Sequence, residues 1–282
     1  GQHPLLAGRN AERVETLARE LGCEWRVFDL DAPDLSGVSL VLHCAGPFIH
    51  TSKPMVKACL AAGVHYLDIT GEIGVFEAIF RRDAEAKERG VVLLPGVGFD
   101  VVPTDCLGAM LHAELPDANE LWLAFSMRHG GVSRGTLKTM IEGAGRGGAI
   151  RRDGKIEVVP QLYDVRNIPF RSGPRLAMTI PWGDVSTAFH TTGIPNIRVY
   201  SSQSPRAIRR MRWMKPILPL LRIGAPRRLA QEYADRRTGP NAEQRARARD
   251  DLWGRAVNSK GNEVTKTMSE AEGYDFTVLS AL

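Results

Sequence analysis

At 282 residues the chain can hold one large or two ordinary domains. Its 43% hydrophobic and 24% charged content is that of a water-soluble globular fold. The net charge of +5 excludes a general nucleic-acid footprint, because eight cations (Arg206, Arg209, Arg210, Arg212, Lys215, Arg222, Arg227 and Arg228) crowd into one segment without an acid, which leaves the rest slightly acidic. No apolar run approaches the ~20 residues of a membrane span.

From the start to about residue 115, short β-like runs alternate with amphipathic helices. "HPLLAGR" predicts a strand and "NAERVETLARELG" a helix closed by Gly22. "EWRVFDLD" and "SLVLHCAG" read as strands, followed by the helix "SKPMVKACLAAG", the strand "HYLDITG", the helix "VFEAIFRRDAEAKERG" and the strand "VVLLPG". Strand, helix, strand at this spacing means parallel strands with crossovers, a doubly wound α/β sheet over residues 5–7, 26–28, 40–43, 66–68 and 91–94. Such a sheet binds ligands at the carboxyl ends of its strands. The cysteines Cys23, Cys44, Cys59 and Cys106 fall in apolar or helical stretches with no C-x-x-C pair, which predicts buried free thiols and a reducing, cytoplasmic setting.

After residue 115 the texture changes to long β-rich stretches with many Gly and Pro: "ELWLAFSMRHGG", "KIEVVPQLYDVRNIPF", "LAMTIPWGDVSTAFHTTG" and "NIRVYSS". They predict an antiparallel sheet forming a second domain. The hexapeptide "GAGRGG" from Gly143 to Gly148 matches the dinucleotide pattern G-x-G-x-x-G, but the order around it is reversed. A helix, "SRGTLKTMIEGAG", with Ser133 as its N-cap precedes it, and a hairpin turned at Asp153-Gly154 follows. The glycines therefore read as a helix exit, with Gly145 at φ > 0. Then come the basic segment 206–228, a polar helix around "NAEQRARARDDL", a hairpin turned at Lys260-Gly261-Asn262, and a helix beginning at "EGYDFTVLSAL".

The first strand ends in Gly8-Arg9-Asn10 and runs straight into a helix. If it is the second strand of a nucleotide fold, Arg9 accommodates the 2′-phosphate of NADP, with Asn10 beside it; otherwise both are solvated residues ahead of a helix. The turn Ala45-Gly46-Pro47-Phe48 lies where the nicotinamide half of a cofactor would pass, and its small residues allow close backbone approach. Thr70 and Gly71 in "DITGE", and Gly96 and Phe99 in "PGVGFDVVPTD", occupy the equivalent ends of the next two strands.

"AGRN", "HCAGPF", "YLDITGE", "PGVGFDVVPTD", "EGAGRGG" and "PWGDVSTAFHTTGIPNI", in this order, resemble the saccharopine dehydrogenase-like oxidoreductases, and among them the branch that includes trans-acting enoyl reductases of lipid biosynthesis. The resemblance implies an NADP-binding Rossmann domain over residues 1–118, an inserted α+β domain for substrate and dimerisation over 119–270, and a helix from 271 to 282 returning to the Rossmann half. It also implies a strand with a G-x-x-G-x-x-G loop ahead of Gly1. Reducing a C=C, C=O or C=N needs a proton donor near the acceptor. The candidates are Asp100, Asp105, Asp184 and His190. No residue spacing points to a metal.

The reading is thus an NADP-dependent oxidoreductase of a hydrophobic, lipid-linked or other small-molecule substrate. Its rivals are a non-catalytic Rossmann-fold protein that binds a lipid or a partner, and a saccharopine-type amino-acid dehydrogenase. The basic segment 206–228, with Met211, Trp213, Met214, Ile217, Leu218, Leu220 and Leu221 among its cations, suits peripheral contact with an anionic membrane or an acyl carrier. It equally suits a helix with a solvated basic face.

Overall fold

The computed structural model describes residues 4–128, 134–143, 147–214, 224–236, 243 and 247–282. In its first part β1 (Leu5–Gly8) pairs in parallel with β2 (Glu24–Val27), and α1 (Ala11–Leu21) crosses between them. The helix starts because the Asn10 side chain accepts the Arg13 N–H at 2.9 Å. It ends because Gly22 takes up φ 65°, a left-handed cap that costs glycine nothing.

A second parallel sheet has the order β3 (Leu40–His43), β4 (His65–Asp68), β5 (Leu93–Leu94). Its helices are α2 (Phe48–Ala62), α3 (Ile73–Phe80) and α4 (Asp83–Glu88). The single helix expected after β4 is broken at Arg81 and Arg82. The break lets apolar α3, with Val75, Phe76 and Ile79 buried, run apart from charged α4. Met55, Val56, Cys59 and Leu60 of α2 pack on Tyr66 to form the core of this half, each side chain contributing roughly 1.5–3 kcal/mol.

The five strands expected in one parallel sheet therefore lie in two, and β1 does not pair with β3. The division falls where the resemblance puts a further central strand. Leu40 and Leu42 of β3, and Trp25 and Val27 of β2, stay exposed. The prediction of four buried thiols also needs correction: Cys59 is buried and Cys23 half-buried, but Cys44 and Cys106 are exposed. Cys44 sits where the chain leaves β3, and Cys106 points away from the face of α5 (Val102–Glu114) that buries Leu107 and Leu111.

The second part is an eight-stranded sheet with the order β13 (Glu263–Ala271), β12 (Arg249–Asn258), β6 (Ala118–Arg128), β11 (Asn196–Ser202), β10 (Gly173–Thr179), β9 (Val165–Phe170). In addition, β7 (Gly148–Arg152) bridges β11 to β8 (Lys155–Val159). It is mixed rather than antiparallel, because β11 runs parallel to β6. Between those two strands the chain makes a long excursion through α6 (Arg134–Gly143), four strands and α7 (Asp184–Thr192), and a connection of that length allows the parallel direction that a tight hairpin forbids.

Alternation along β6 sends Leu121, Leu123 and Phe125 to a core shared with α5 and α7, and Trp122 and Ala124 to the opposite face with Tyr200 and Trp253. The hairpins form at the expected turns: Asp153 and Gly154 adopt φ 47° and 76°, and Gly261 φ 83°. The polar helix expected around 241–252 lies mostly outside the described residues, and Asp250, Asp251 and Leu252 belong to β12.

Helix α6 ends at Gly143 and β7 begins at Gly148, so the "GAGRGG" stretch runs from helix to strand; Gly145, like Ser133, lies outside the described residues. After β11 come α8 (Pro205–Met214) and α9 (Gly224–Asp235). The last helix, α10 (Gly273–Ala281), docks on the turn after β5. There Phe99 N–H donates to Thr277 Oγ1 at 3.0 Å, and Ser280 Oγ donates to the Val97 carbonyl at 2.6 Å.

Candidate active site

Three strand ends meet at one edge. Asp68, fully buried at the end of β4, clamps two of them: its Oδ1 accepts from Thr70 N at 3.0 Å and Gly96 N at 2.8 Å, and its Oδ2 accepts from the Tyr66 hydroxyl at 2.7 Å. Burial nevertheless raises its pKa. Thr70 Oγ1 accepts from Glu72 N at 3.1 Å.

Glu72 reaches back to the first strand end, its carboxylate accepting from Phe48 N at 2.8 Å and Ile49 N at 3.2 Å at the start of α2. An anion there completes the free N–H groups of the helix. Gly96 has φ 74°, and a Cβ would stand 2.5 Å from Phe76 Cζ, so only glycine fits. Phe99 turns into the core against Phe125 and Phe276. Ala45, Gly46 and Pro47 form the exposed turn between β3 and α2, and Phe48 is buried as the first residue of α2.

The four proton-donor candidates gather where α5 begins and α7 faces it. The Asp100 carboxyl lies against Gly71, where a Cβ would come within 2.8 Å of Oδ2. Loss of solvation, then the negative charge of Glu72, pushes its pKa up to about 7. The residue as a whole keeps partial exposure, while its carboxyl is desolvated.

Asp184 opens α7 and is wholly buried. Neither of its oxygens has a hydrogen bond of ordinary geometry, although the Thr104 hydroxyl lies beside it. Burial, then the charge of Asp105, raises its pKa well above the usual carboxylate range. Asp105 accepts from Thr191 Oγ1 at 2.7 Å, and burial raises its pKa too. His190 stacks on Phe80 with ring centroids 4.2 Å apart.

Sequence reasoning missed three elements of this region. Glu72 stood inside a quoted motif, but its reach to α2 spans more than twenty residues of chain. His43 closes β3; it is buried, its Nε2 lacks a partner, and desolvation lowers its pKa to about 4, so the ring is neutral at pH 7. Glu77 of α3 accepts from Ser186 Oγ at 2.5 Å and faces Arg151 Nη2 at 3.5 Å. That arginine is buried, donating to the carbonyls of Val185 at 2.8 Å and Gly154 at 2.7 Å and lying over the Phe189 ring. This network fixes α7, with Asp184 and His190, against the nucleotide-type half.

At the end of β1, Arg9 is exposed and free of ion pairs among the described residues, while Asn10 is engaged as the cap of α1. The His43 ring at the end of β3 packs against Phe48 and Tyr66. Among the described residues no cluster of His, Cys, Asp or Glu could hold a metal ion, and no helix is long and apolar enough to cross a membrane.

No family model matches the chain. By sequence it is 34% identical over 172 residues, 52% of the chain, to a saccharopine dehydrogenase-like oxidoreductase of Rattus norvegicus. It is 29% identical over 161 residues, 49% of the chain, to a trans-acting enoyl reductase of Mycobacterium bovis. These matches span 39% and 37% of the relatives' own lengths, so the chain covers about two fifths of the curated relatives it matches. In fold it resembles the apo saccharopine dehydrogenase (L-Glu forming) of Saccharomyces cerevisiae, with a TM-score of 0.57 and 11% identity over 99% of this chain and 82% of that one. The resemblance drawn from the motifs is thus shown, and the fold is of the Rossmann dehydrogenase type.

Proposed function

We propose that the protein is an NADP-dependent oxidoreductase of the saccharopine dehydrogenase-like type that reduces a C=C or C=O bond of a hydrophobic, lipid-linked substrate in the cytoplasm. Residues 1–118 hold the cofactor, 119–270 carry substrate recognition and dimerisation, and 271–282 return to the first part. The observation that carries the reading is the carboxyl of Asp100, set against Gly71 at the strand ends, with its pKa pushed up to about 7 by desolvation and by the charge of Glu72.

The cofactor supplies the hydride. Asp100 holds a proton on its carboxyl and gives it to the acceptor atom that becomes electron-rich as the hydride arrives, then regains one from water. Glu72 anchors the first turn of α2 and, through its charge, keeps Asp100 protonated. Asp184 lies buried at the start of α7, its pKa raised by desolvation and by the charge of Asp105. His43 presents a neutral ring at the end of β3. Arg9 would hold the 2′-phosphate of a bound NADP.

Asp100→Asn should lower kcat for NADPH-dependent reduction by 10²-fold or more while NADPH binding persists, and Asp100→Glu should restore part of the rate. An Asn variant with the parent's kcat would remove Asp100 from the chemistry. By titration NADPH should bind more tightly than NADH, and Arg9→Asp should narrow or invert the preference; equal affinities in the parent would leave Arg9 without a role.

A further inference from the structure

The basic segment 206–228 raised two alternatives, apolar insertion or a packed helix with a solvated face. Helix α8 combines features of both. Ser204 Oγ accepts from Ala207 N at 3.1 Å to start the helix, and the apolar side then turns inward: Ile208 is buried, Ala207 and Met211 half-buried. Every arginine faces out. At 3.6 residues per turn Arg206, Arg209, Arg210 and Trp213 fall within an arc of roughly 100°, and Trp213 is 79% exposed at its centre. Lys215 and Arg222 lie outside the described residues.

Two aspects of this face have no purpose in a free helix. Arg206 stands three and four residues from Arg209 and Arg210, so like charges repel on neighbouring turns. No acid of α8 relieves them, and none of the four guanidiniums is ion-paired among the described residues. In addition, a large indole stands in water, although indoles favour a boundary that is apolar on one side and wet on the other.

We propose that the Arg206–Arg209–Arg210–Trp213 face of α8 docks on an anionic bilayer, the guanidiniums meeting lipid phosphates and Trp213 resting at headgroup depth. The contact is peripheral, since the apolar stripe of the helix is spent on its own protein. A bilayer is favoured over an acidic protein because the face is a convex row about 10 Å long, which meets a flat sheet of phosphates along its whole length. The inference stands independently of the proton donor assigned above.

The test is flotation of the whole chain with vesicles of phosphatidylcholine alone or with 30 mol% phosphatidylglycerol, at low and high salt. Binding should require the anionic lipid and fall steeply with salt, because exposed charges are screened beyond ~8 Å at physiological ionic strength. Replacing Arg206, Arg209 and Arg210 together by Gln should weaken it by about a hundredfold, at roughly fivefold per cation. Lysine at the same positions should retain most of it, and Trp213→Ala should lower the residue that survives at high salt. Thermal unfolding of all variants should match the parent, since the side chains are exposed. Equal binding to both vesicle types, or a Gln variant that floats like the parent, would overturn the proposal. So would binding to an acidic acyl carrier protein with none to vesicles.

Discussion

The proton on Asp100 can be weighed as a contribution to stability before any substrate is known. Its carboxyl titrates at about 7 when folded, against 3.8 for an ordinary aspartate. Between those values the folded state binds the proton and the unfolded chain has released it. The stabilisation is thus fully present below about pH 4 and is lost as the pH rises through 7. Roughly three pKa units at 1.36 kcal/mol each set an upper bound of about 4 kcal/mol. Since the group keeps some contact with solvent, about 2 kcal/mol is the expected size.

Asp100→Asn abolishes this dependence while preserving shape. Unfolding of parent and variant by denaturant, compared at pH 5 and pH 8, should show the parent losing about 1.2 kcal/mol more than the variant, since the interval covers about two of the roughly three pKa units. In a domain of this size that corresponds to a shift of roughly 2–5 °C in Tm. Burial raises Glu72, Asp105, Asp184 and Glu270 as well, so both proteins should be less stable at pH 8. Parallel pH profiles would refute the desolvated placement of the Asp100 carboxyl.

Gly96→Ala combines a positive φ with a Cβ 2.5 Å from Phe76, so it should cost about 2–4 kcal/mol and lower Tm; a neutral substitution would mean that the turn clamped by Asp68 is free to move. Glu77→Leu should cost on the order of 3 kcal/mol by leaving the buried Arg151 guanidinium without its carboxylate. The double variant Glu77→Leu/Arg151→Met should recover part of that loss, and a cycle of unfolding free energies showing no coupling would refute the pairing.

What could be read from the chain was what local chemistry specifies. Asn10 and Gly22 bound α1, Asp153-Gly154 and Gly261 turn their hairpins, and the alternation of Leu121, Leu123 and Phe125 marks β6. The proton-donor candidates were legible as residue types beside strand ends, and folding brings Asp100, Asp105 and Asp184 close enough for their charges to interact. Partners distant in sequence were not legible. Nothing near Glu72 announces that it will cap α2, and nothing near Arg151 points to Glu77, 74 residues away. The direction of β11 beside β6 was equally hidden, because side-chain alternation is the same in parallel and antiparallel strands. The inward turn of Ile208 and Met211 in α8 could be drawn as a wheel, but which side meets protein depends on neighbours elsewhere in the chain.

The parallel pairing of β6 with β11 also governs the order of events during synthesis. β6 is a central strand, and its two neighbours, β11 and β12, begin at Asn196 and Arg249, far downstream of its own end at Arg128. At 5–20 residues per second, the roughly 70 residues before β11 take several seconds to emerge, and β12 follows later still. Through that interval a strand with apolar side chains on both faces waits with its backbone groups unpaired, a template for the same strand on a neighbouring nascent chain. Closing the sheet is therefore a late step of high contact order. The yield of folded protein should depend more on what shields residues 118–128 during those seconds than on the stability of the finished sheet.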